Sequence, residues 1–518
     1  MRQWLVGLAA VAGVAAGGPA AHAQTASPPA PAAASPAVPI PTSAEQVRAL
    51  LDKALGDARG GDARAVDAEV TAVLAAPNLS SLNAQEQHAA MLLAGAAKLD
   101  LGEPQAALVV LRRITALFQP LQGDWHLRLT AAYRAGDIDD AALCLETIAR
   151  KWPVSLDEVR DAAVFRLTRD VAAVPGGPER KFSLLEALYS ANWRPTDAFL
   201  SADRQWRELA QLMIDRGQIN RAGAVAETVV GPYALIEMRA DRRFDAVIDR
   251  DAVRFEAEAA AARRLETLEI AAAEQPYRLS GVNAVAGVLI QTRRTTEALK
   301  LLDQTLAQAA SPDAVFIDAQ EELAWTMDYR ARALVQLGRF DDAVAQWRAA
   351  AARPERGQPN VSQTLNLASL YADLGRPGEA DATAGEALKR GLSPYGQMQA
   401  EAVRACALHA AGDRAGSAEA LGYLRAHQKD STPALQDALL CTGALDEAAG
   451  LYKARLADPD QRAAALAELQ DYVRPPAATP LQQETARRRL AVRARPDVRA
   501  AIARVGRVER YNLLPMSG

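Results

Sequence analysis

The sequence has 518 residues, a formal net charge of −4 at pH 7, and a composition that is 50% hydrophobic but only 5% aromatic. This charge gives no sign of a nucleic-acid-binding protein, which would carry a strongly basic face. Three cysteines are too few and too widely spaced for a disulfide framework or a metal cluster. The chain is too long for one conventional hydrophobic core, so we expect several domains or a repeat array.

The N-terminus has the pattern of a cleaved secretory signal peptide. A short positive start is followed by an apolar run of small residues over Leu5–Ala16, and Ala21–Ala23 has the small-x-small form that precedes a cleaved bond. The run is too short for a membrane span, which needs about 20 apolar residues. We expect residues 1–23 to be removed, with the cut after Ala23, and the mature protein to be periplasmic or secreted. Residues 24–44, rich in Pro and Ala, are predicted to be a disordered linker.

Helices and short turns are predicted for the remainder of the chain, and a glycine is repeatedly followed five residues later by a small residue. The step between such glycines is 34 residues from Gly102 to Gly136 and 37 from Gly338 to Gly375, a period that indicates stacked helical hairpins. The glycine suits the left-handed position that ends a helix, and the small residue lets the next helix approach closely. The pairs are Gly60/Ala65, Gly102/Ala107, Gly136/Ala141, Gly217/Ala222, Gly338/Ala343, Gly375/Ala380, Gly412/Ser417 and Gly443/Ala448, with a turn at Arg293/Ala298 that lacks the glycine.

Two consecutive units share one order of small, aromatic and turn residues. The residues are Ala331, Leu334, Gly338, Phe340, Ala343, Trp347, Ala350 and Pro354 in the first unit, and Asn366, Leu367, Ala368, Tyr371, Gly375, Ala380, Ala384 and Ala387 in the second. This order resembles the tetratricopeptide repeat (TPR), a helix-turn-helix unit of 34 residues. The resemblance implies an all-α fold, a right-handed α-solenoid of tandem TPR-like repeats, in an exported member of the family. It also implies protein binding as the function.

Interruptions of the repeat pattern predict the domain organisation. The stretch Pro175–Pro178 breaks the array, and the charged stretch Gly231–Asp251 is expected to be a solvated connector, with a binding loop as the alternative. From Pro480 onward the sequence has nine arginines and three carboxylates interspersed with apolar residues, which favours helices that cap the solenoid. Peripheral binding of membrane lipid or of an acidic partner through this basic end is the alternative. The predicted parts are an N-terminal TPR-like block (45–155), an irregular helical connector (156–200), a divergent TPR-like block (201–312), a C-terminal TPR block (313–475) and a basic helical cap (476–518).

Motifs for nucleophilic catalysis, phosphate binding, dinucleotide binding and paired-histidine metal binding do not occur in the sequence. We therefore expect a non-enzymatic protein with no cofactor and no metal. Cys406 and Cys441 fall on the first helices of adjacent repeats; buried free thiols are the default expectation, and a bridge in an oxidising compartment is the alternative. The histidines of the mature chain are expected to be isolated, partly exposed helix residues: His88, His126, His409 and His427.

The first helix of each TPR unit lines the concave face in this family, so the resemblance implies a set of inward-facing binding positions. Arginines among them can hold an acidic peptide or an anionic glycan through paired hydrogen bonds. The leading hypothesis is a scaffold that binds a protein partner or an extended polymer in the cell envelope. The alternatives are an accessory factor in exopolysaccharide export or outer-membrane assembly, and an enzyme with an unrecognised site in the irregular segments. The inward positions are Arg204, Arg207, Gln211, Asn283, Trp325, Asp328, Arg332 and His409.

Overall fold

The structure, a computed structural model, describes residues 38–355 and 357–515. The predicted signal peptide and most of the predicted linker therefore lie outside the described residues. Almost all described residues belong to helices or to the short turns between them, which confirms the predicted all-α solenoid of helix pairs. Among the described residues, no helix is long and apolar enough to cross a bilayer. The chain divides into two compact units, with the boundary between Asp197 and Ala198.

The first unit consists of helical hairpins followed by a less regular pair of helices. Helix α8 begins at Gly177, inside the stretch that the sequence predicted as a break, because Gly176 turns the chain at φ +72° and Pro178 suits the first turn of a helix. The helices are α1 (Ala44–Gly60), α2 (Ala63–Leu74), α3 (Ala84–Asp100), α4 (Pro104–Leu117), α5 (Gln122–Ala135), α6 (Ile138–Lys151), α7 (Asp161–Asp170) and α8 (Gly177–Ser190).

The second unit is also built from helical hairpins, and among the described residues no further repeat follows its last two helices. Two strands of two residues each, β1 and β2, pair in parallel; the sequence did not predict them. The elements are α9 (Asp203–Asp215), α10 (Ile219–Ala226), α11 (Pro232–Ala240), α12 (Ala257–Glu274), α13 (Leu279–Gln291), α14 (Thr295–Ala309), α15 (Ala319–Gln336), α16 (Phe340–Ala351), α17 (Val361–Asp373), α18 (Pro377–Leu388), α19 (Pro394–Ala411), α20 (Arg414–Ala426), α21 (Thr432–Thr442), α22 (Leu445–Ala457), α23 (Arg462–Glu468), β1 (Asp471–Tyr472), α24 (Pro480–Ala494), α25 (Pro496–Val505) and β2 (Arg510–Tyr511).

The repeat glycines adopt the left-handed conformation that the sequence predicted for them, with φ between 70° and 81° from Gly102 to Gly443. The first pair is the exception. Gly60 is the last residue of α1, and Gly61 takes the left-handed position at φ +78°. The small-residue position moves with it, so that Val66 is buried and Ala65 is only half-buried. Gly60/Ala65 was therefore placed one residue too early.

The residue five positions after each left-handed turn lies in the closest contact between the two helices of a hairpin. An alanine there is fully buried, and Ser417 satisfies its hydroxyl by donating to the carbonyl oxygen of Ala405 at 2.9 Å. A larger residue four positions further on is also buried and fills the space beside the contact. The buried alanines are Ala107, Ala141, Ala222, Ala298, Ala343, Ala380 and Ala448, and the larger residues are Leu111, Leu145, Trp347, Leu421 and Tyr452.

Curvature in the second unit follows from which helices pack on each other. We call the first helix of each hairpin the A helix and the second the B helix. Helix α13 packs on α15, α17 on α19, and α19 on α21, all of them A helices, whereas successive B helices of the described hairpins make at most sparse contacts. The A helices therefore lie on the inside of the curve, and we call their exposed surface the inner face.

Cys406 and Cys441 form a disulfide between the A helices α19 and α21, with their Cα atoms 5.6 Å apart. The default expectation of free thiols at these positions was wrong. The two cysteines lie one helical turn apart in the repeat register, but α19 and α21 pack directly on each other and bring the two Cα atoms within bridging distance. Cys144 is a buried free thiol, as expected.

The turn without a glycine holds a strained residue that is open to a direct test. Arg293 has φ +65° and an exposed side chain. A residue with a Cβ pays about 1 kcal/mol in this conformation, partly offset by the greater freedom that glycine has in the unfolded chain. We expect Arg293→Gly to raise the free energy of unfolding by about 0.5 kcal/mol in denaturant titrations. Arg293→Ala keeps the Cβ and is the matched control, expected to change nothing; equal effects of both substitutions would contradict the account.

Candidate partner-binding face

The C-terminal segment of the second unit lies across the inner face. We call residues 471–515 the C-terminal belt; it comprises β1, α24, α25, β2 and the residues that join and follow them. Helix α24 packs against α17, α21 and α22, and α25 packs against α22. The predicted helical cap thus contacts the side of the helical stack as well as its last hairpin.

The first half of the belt contacts the last turns of three A helices. Because the carbonyl groups in the last turn of a helix have no partner within the helix, they are available as acceptors. Sequence reasoning missed these positions: Gln336 lies one turn after the predicted Arg332, and no predicted residue lies on α17 or α21. The hydrogen bonds are Ala477 N to Gln336 O (3.2 Å), Gln482 Nε2 to Asp373 Oδ2 (2.7 Å) and Arg488 Nη1 to Leu440 O (3.0 Å).

The second half of the belt closes the unit by binding its first helices. The backbone N–H of Arg507 donates to Ala240 O at 2.9 Å, and the N–H of Leu514 donates to Gln291 O at 2.9 Å. The Tyr233 hydroxyl donates to Leu514 O at 2.6 Å. The buried side chains of Tyr511 and Leu513 complete the contact by packing into one cluster with helices α11 and α12. The first and last parts of this unit are therefore joined.

The charged segment before α12 is a docking site for the belt. The guanidinium of Arg239 lies 2.9 Å from the carboxylate of Glu509, and Arg507 pairs with Asp245 at 2.6 Å. The Arg507 guanidinium also lowers the pKa of Asp245 below its ordinary value by hydrogen bonding. Asp241 is fully buried and accepts from Arg243. Residues 231–251 were expected to be a solvated connector, with a binding loop as the alternative; the structure shows that they bind the protein's own C-terminus.

Two of the predicted inward residues are part of this closure. Arg207 and Gln211 of α9 are buried. The Arg207 Nε atom lies 2.7 Å from a carboxylate oxygen of Glu237, and Gln211 Nε2 donates to Pro459 O at 3.2 Å. Both side chains are consequently occupied by contacts within the second unit.

Asp328 occupies the centre of a hydrogen-bonded junction between repeats. Its side chain is almost fully buried. One carboxylate oxygen accepts from Trp347 Nε1 at 2.7 Å and from Asn366 Nδ2 at 2.8 Å, and the other accepts from Arg332 Nε at 2.6 Å. Asp328 thus connects α15 to its own B helix and to the next A helix. Its contacts are those of a packing residue.

Asn283 is likewise a buried link between neighbouring A helices. Its amide donates to a carboxylate oxygen of Glu322 at 2.9 Å. The remaining predicted residues are accessible: Arg204 and His409 are exposed, and Trp325 and Arg332 are half-buried. The structure does not gather the eight residues into one cluster, and a binding role for them stays a prediction.

Histidines of the first unit make specific contacts that the sequence did not reveal. His88 is buried, with its Nε2 atom 3.0 Å from both carboxylate oxygens of Asp124. Burial lowers the pKa of His126, whose Nε2 atom lies 3.0 Å from the Ser155 hydroxyl. That hydroxyl is 2.9 Å from Trp152 O, to which it donates. These pairs connect helices, and the expectation of isolated, partly exposed residues was wrong for His88.

Most of the basic charge near the C-terminus is paired with carboxylates. Arg499, Arg504 and Arg510 remain exposed, so peripheral contact through this end of the chain stays a prediction. The ion pairs include Arg488 with Glu484, Arg489 with Asp437, Arg493 with Asp471, Arg495 with Asp446, and Arg507 with Asp245. Within the described residues, no group of three or more metal-ligating side chains occurs.

No family model and no curated protein matches the chain. Among solved structures it is similar to a Rap protein complexed with competence and sporulation factor, at 14% identity, over 86% of this chain and 100% of that one, with a TM-score of 0.32. It is also similar to the apo form of RapI, at 12% identity over 75% and 98% of the two chains and a TM-score of 0.38. The third is the Cut9–Hcn1 hetero-tetramer of APC/C, at 13% identity over 89% of this chain and 92% of that one, with a TM-score of 0.29. Likenesses of this size assign no partner or activity to this chain.

The contact between Asp373 and the belt predicts a dependence of stability on pH. Burial raises the pKa of Asp373 from 3.8 to about 7, while the hydrogen bond from Gln482 opposes the shift. The pKa of Asp373 is higher in the folded than in the unfolded state. The stabilisation supplied by the protonated carboxyl is therefore complete below about pH 4 and is lost as the pH rises through 7. We expect Asp373→Asn to increase the free energy of unfolding by about 1–2 kcal/mol at pH 8, after discounting for partial exposure, and by less as the pH falls.

Denaturant titrations between pH 5 and pH 8 measure this difference. Asp341→Asn replaces an exposed carboxylate on α16 and is the matched control, with an expected change within about 0.5 kcal/mol. An Asp373→Asn protein with the same pH profile as the parent would contradict the assignment.

Proposed function

We propose that this protein is a non-enzymatic, exported scaffold that binds a protein partner or an extended polymer of the cell envelope on its inner face. The observation that carries the proposal is that this face already binds polypeptide. The last turns of α15, α17 and α21 hold the belt through hydrogen bonds to Gln336, Asp373 and Leu440. A surface that recognises one segment by its main chain and side chains has the chemistry needed to recognise another.

Export is supported by the cysteines together with the sequence of the N-terminus. Disulfides form and persist in oxidising compartments such as the bacterial periplasm and are rare in the cytosol. The Cys406–Cys441 bridge connects two A helices that form the inner face, so it stabilises the surface on which the proposal depends. Residues 1–23 have the pattern of a signal peptide.

The accessible inward residues suit a partner that offers carboxylates or an apolar anchor. Tryptophan and arginine are enriched among residues that dominate binding energies at interfaces. The half-buried ring of Trp325 presents such an apolar surface, and the guanidinium of Arg204 is exposed beside Glu208, to which it donates at 3.0 Å. These two positions therefore test the inner face without disturbing the buried junctions at Arg207 and Asp328.

The test is capture of a partner from an envelope fraction by the mature protein. We expect Arg204→Ala combined with Trp325→Ala to reduce capture about tenfold, because truncating an interface anchor commonly costs 1–2 kcal/mol, and to leave the thermal midpoint within a few degrees of the parent. Arg339→Ala, at an exposed arginine paired with Asp342, is the matched control. Mass spectrometry of protein isolated from the periplasm should show Cys406 and Cys441 oxidised.

Unaltered capture by the double variant would reject this part of the inner face as the binding surface. Capture of no envelope component, together with turnover of a substrate by the purified protein, would reject the scaffold. Protein confined to the cytosol with reduced cysteines would reject export.

A further inference from the structure

Helix α24 buries fewer apolar side chains than the part of the belt that follows it. Of its fifteen residues, Val492 is the one that is buried. By contrast, α25 buries Val498 and Ile502, and the tail buries Tyr511, Leu513 and Leu514. Since burial of apolar surface supplies most of the stability of packed helices, α24 opens more readily than α25 and the tail.

Two of the ion pairs that hold α24 in place are partly open to solvent on the arginine side and more open on the carboxylate side. The Arg489–Asp437 pair has side chains that are 31% and 61% exposed, and in the Arg493–Asp471 pair they are 20% and 48% exposed. Ion pairs with this degree of exposure stabilise little, and salt screens them. Segments with few buried apolar contacts open locally without global unfolding.

Opening of α24 can occur while the unit stays closed. Before the helix, β1 pairs with β2, and the N–H of Asp471 donates to Glu509 O at 2.9 Å. After the helix, α25 and the tail keep their own contacts with α22 and with helices α11 and α12. The connecting residues before α24 include Pro475 and Pro476, which do not extend a regular element. Helix α24 is therefore a tethered segment between two anchored ones.

The surface beneath α24 has a defined chemistry. Two carboxylates belong to it: Asp437 lies in the middle of α21, and Asp471 follows α23. The carbonyl groups of Leu440 and Leu469 accept from Arg488 and Arg493 at 3.0 Å, and helix C-termini carry partial negative charge. The side chain of Val492 belongs to an apolar cluster to which helices α21 and α22 contribute.

We propose that this surface is an exchangeable binding site whose partner is an arginine-rich amphipathic helix that takes the place of α24. The inference deepens the proposed function and rests on it, since it specifies the chemistry of one segment of the scaffold's partner, separate from the carboxylate or apolar anchor that Arg204 and Trp325 would contact. The chain itself displays the recognised pattern. Arg488, Arg489, Val492 and Arg493 lie at positions i, i+1, i+4 and i+5, on one face of a helix. A competing helix needs two or three arginines around one apolar residue with this spacing.

The tether determines when exchange occurs. Because α24 is attached at both ends, its effective concentration at the surface is high, and a partner of equal intrinsic affinity competes poorly. Weakening the contacts of α24 in the intact chain therefore exposes the site to a probe added in solution. High salt weakens the binding of α24 and of an added helix alike.

The probe is a fluorescent peptide with the sequence of residues 480–494, and the protein is the full mature chain. In the opened variant, Arg488→Ala, Arg489→Ala and Arg493→Ala are combined. We expect it to bind the peptide at least tenfold more tightly than the parent at 50 mM salt, measured by fluorescence anisotropy. Adding Asp437→Asn and Asp471→Asn to the opened variant should reverse the gain. A peptide with glutamate in place of Arg488, Arg489 and Arg493 should not bind. Arg499→Ala with Arg504→Ala, on the exposed side of α25, is the matched control and should bind like the parent.

An opened variant that binds the peptide no better than the parent, or binds a scrambled peptide equally well, would overturn the proposal. If the opened variant does not fold, hydrogen exchange of the parent decides: amides of α24 should exchange at least tenfold faster than those of α21 and α25, and faster still with excess peptide. Exchange of α24 only together with the whole unit would also overturn it. Either negative result leaves the proposed scaffold function standing if Arg204 and Trp325 still mediate capture of an envelope partner. Peptide exchange without capture of any envelope partner would reject the scaffold function alone.

Discussion

The second unit depends on the contact between Gly506 and the end of α11. At this point the chain after the last helix meets the first helices of the unit, and the N–H of Arg507 donates to Ala240 O. Gly506 is needed because a Cβ at its position would overlap Ala240 O and the side chain of Leu466. Without this close approach the tail could not reach its acceptor at Gln291, and the stack of hairpins would remain open at both ends.

Closure explains why several polar residues are buried in a fold whose hairpins usually stack in a row. Arg207 and Gln211 are covered because the first A helix of the unit faces the chain near Pro459. Buried charges need partners to remain stable, and Glu237 supplies one for Arg207. In the closed unit the basic C-terminus forms ion pairs both within the belt and with the hairpins. The inner face is consequently shared between an internal ligand and the surface left for a partner.

The sequence predicted the hairpins well because the repeat pattern is local. Turn glycines and the alanines five residues later depend on contacts within one hairpin, and the structure confirms them from Gly102 to Gly443. Long-range contacts could not be predicted in this way. Nothing in the local pattern of Gln470 indicates that its side-chain oxygen accepts from the N–H of Glu509. For a similar reason the sequence could not show which inward positions are occupied by internal contacts, since family resemblance places Asp328 on a helix face but does not show that Trp347 and Asn366 donate hydrogen bonds to its carboxylate.

Hydrogen exchange on a Gly506→Ala variant tests closure of the second unit most directly. The added methyl group should push residues 506–514 away from α11, so amides there and around Asp241 should lose protection together, at least tenfold, while the hairpins from α15 to α20 keep theirs. Gly450→Ala in α22 is the matched control, because a Cβ there meets nothing within 4 Å. Loss of protection limited to the neighbours of residue 506, with the amides of Asp241 and Leu514 unchanged, would contradict the account.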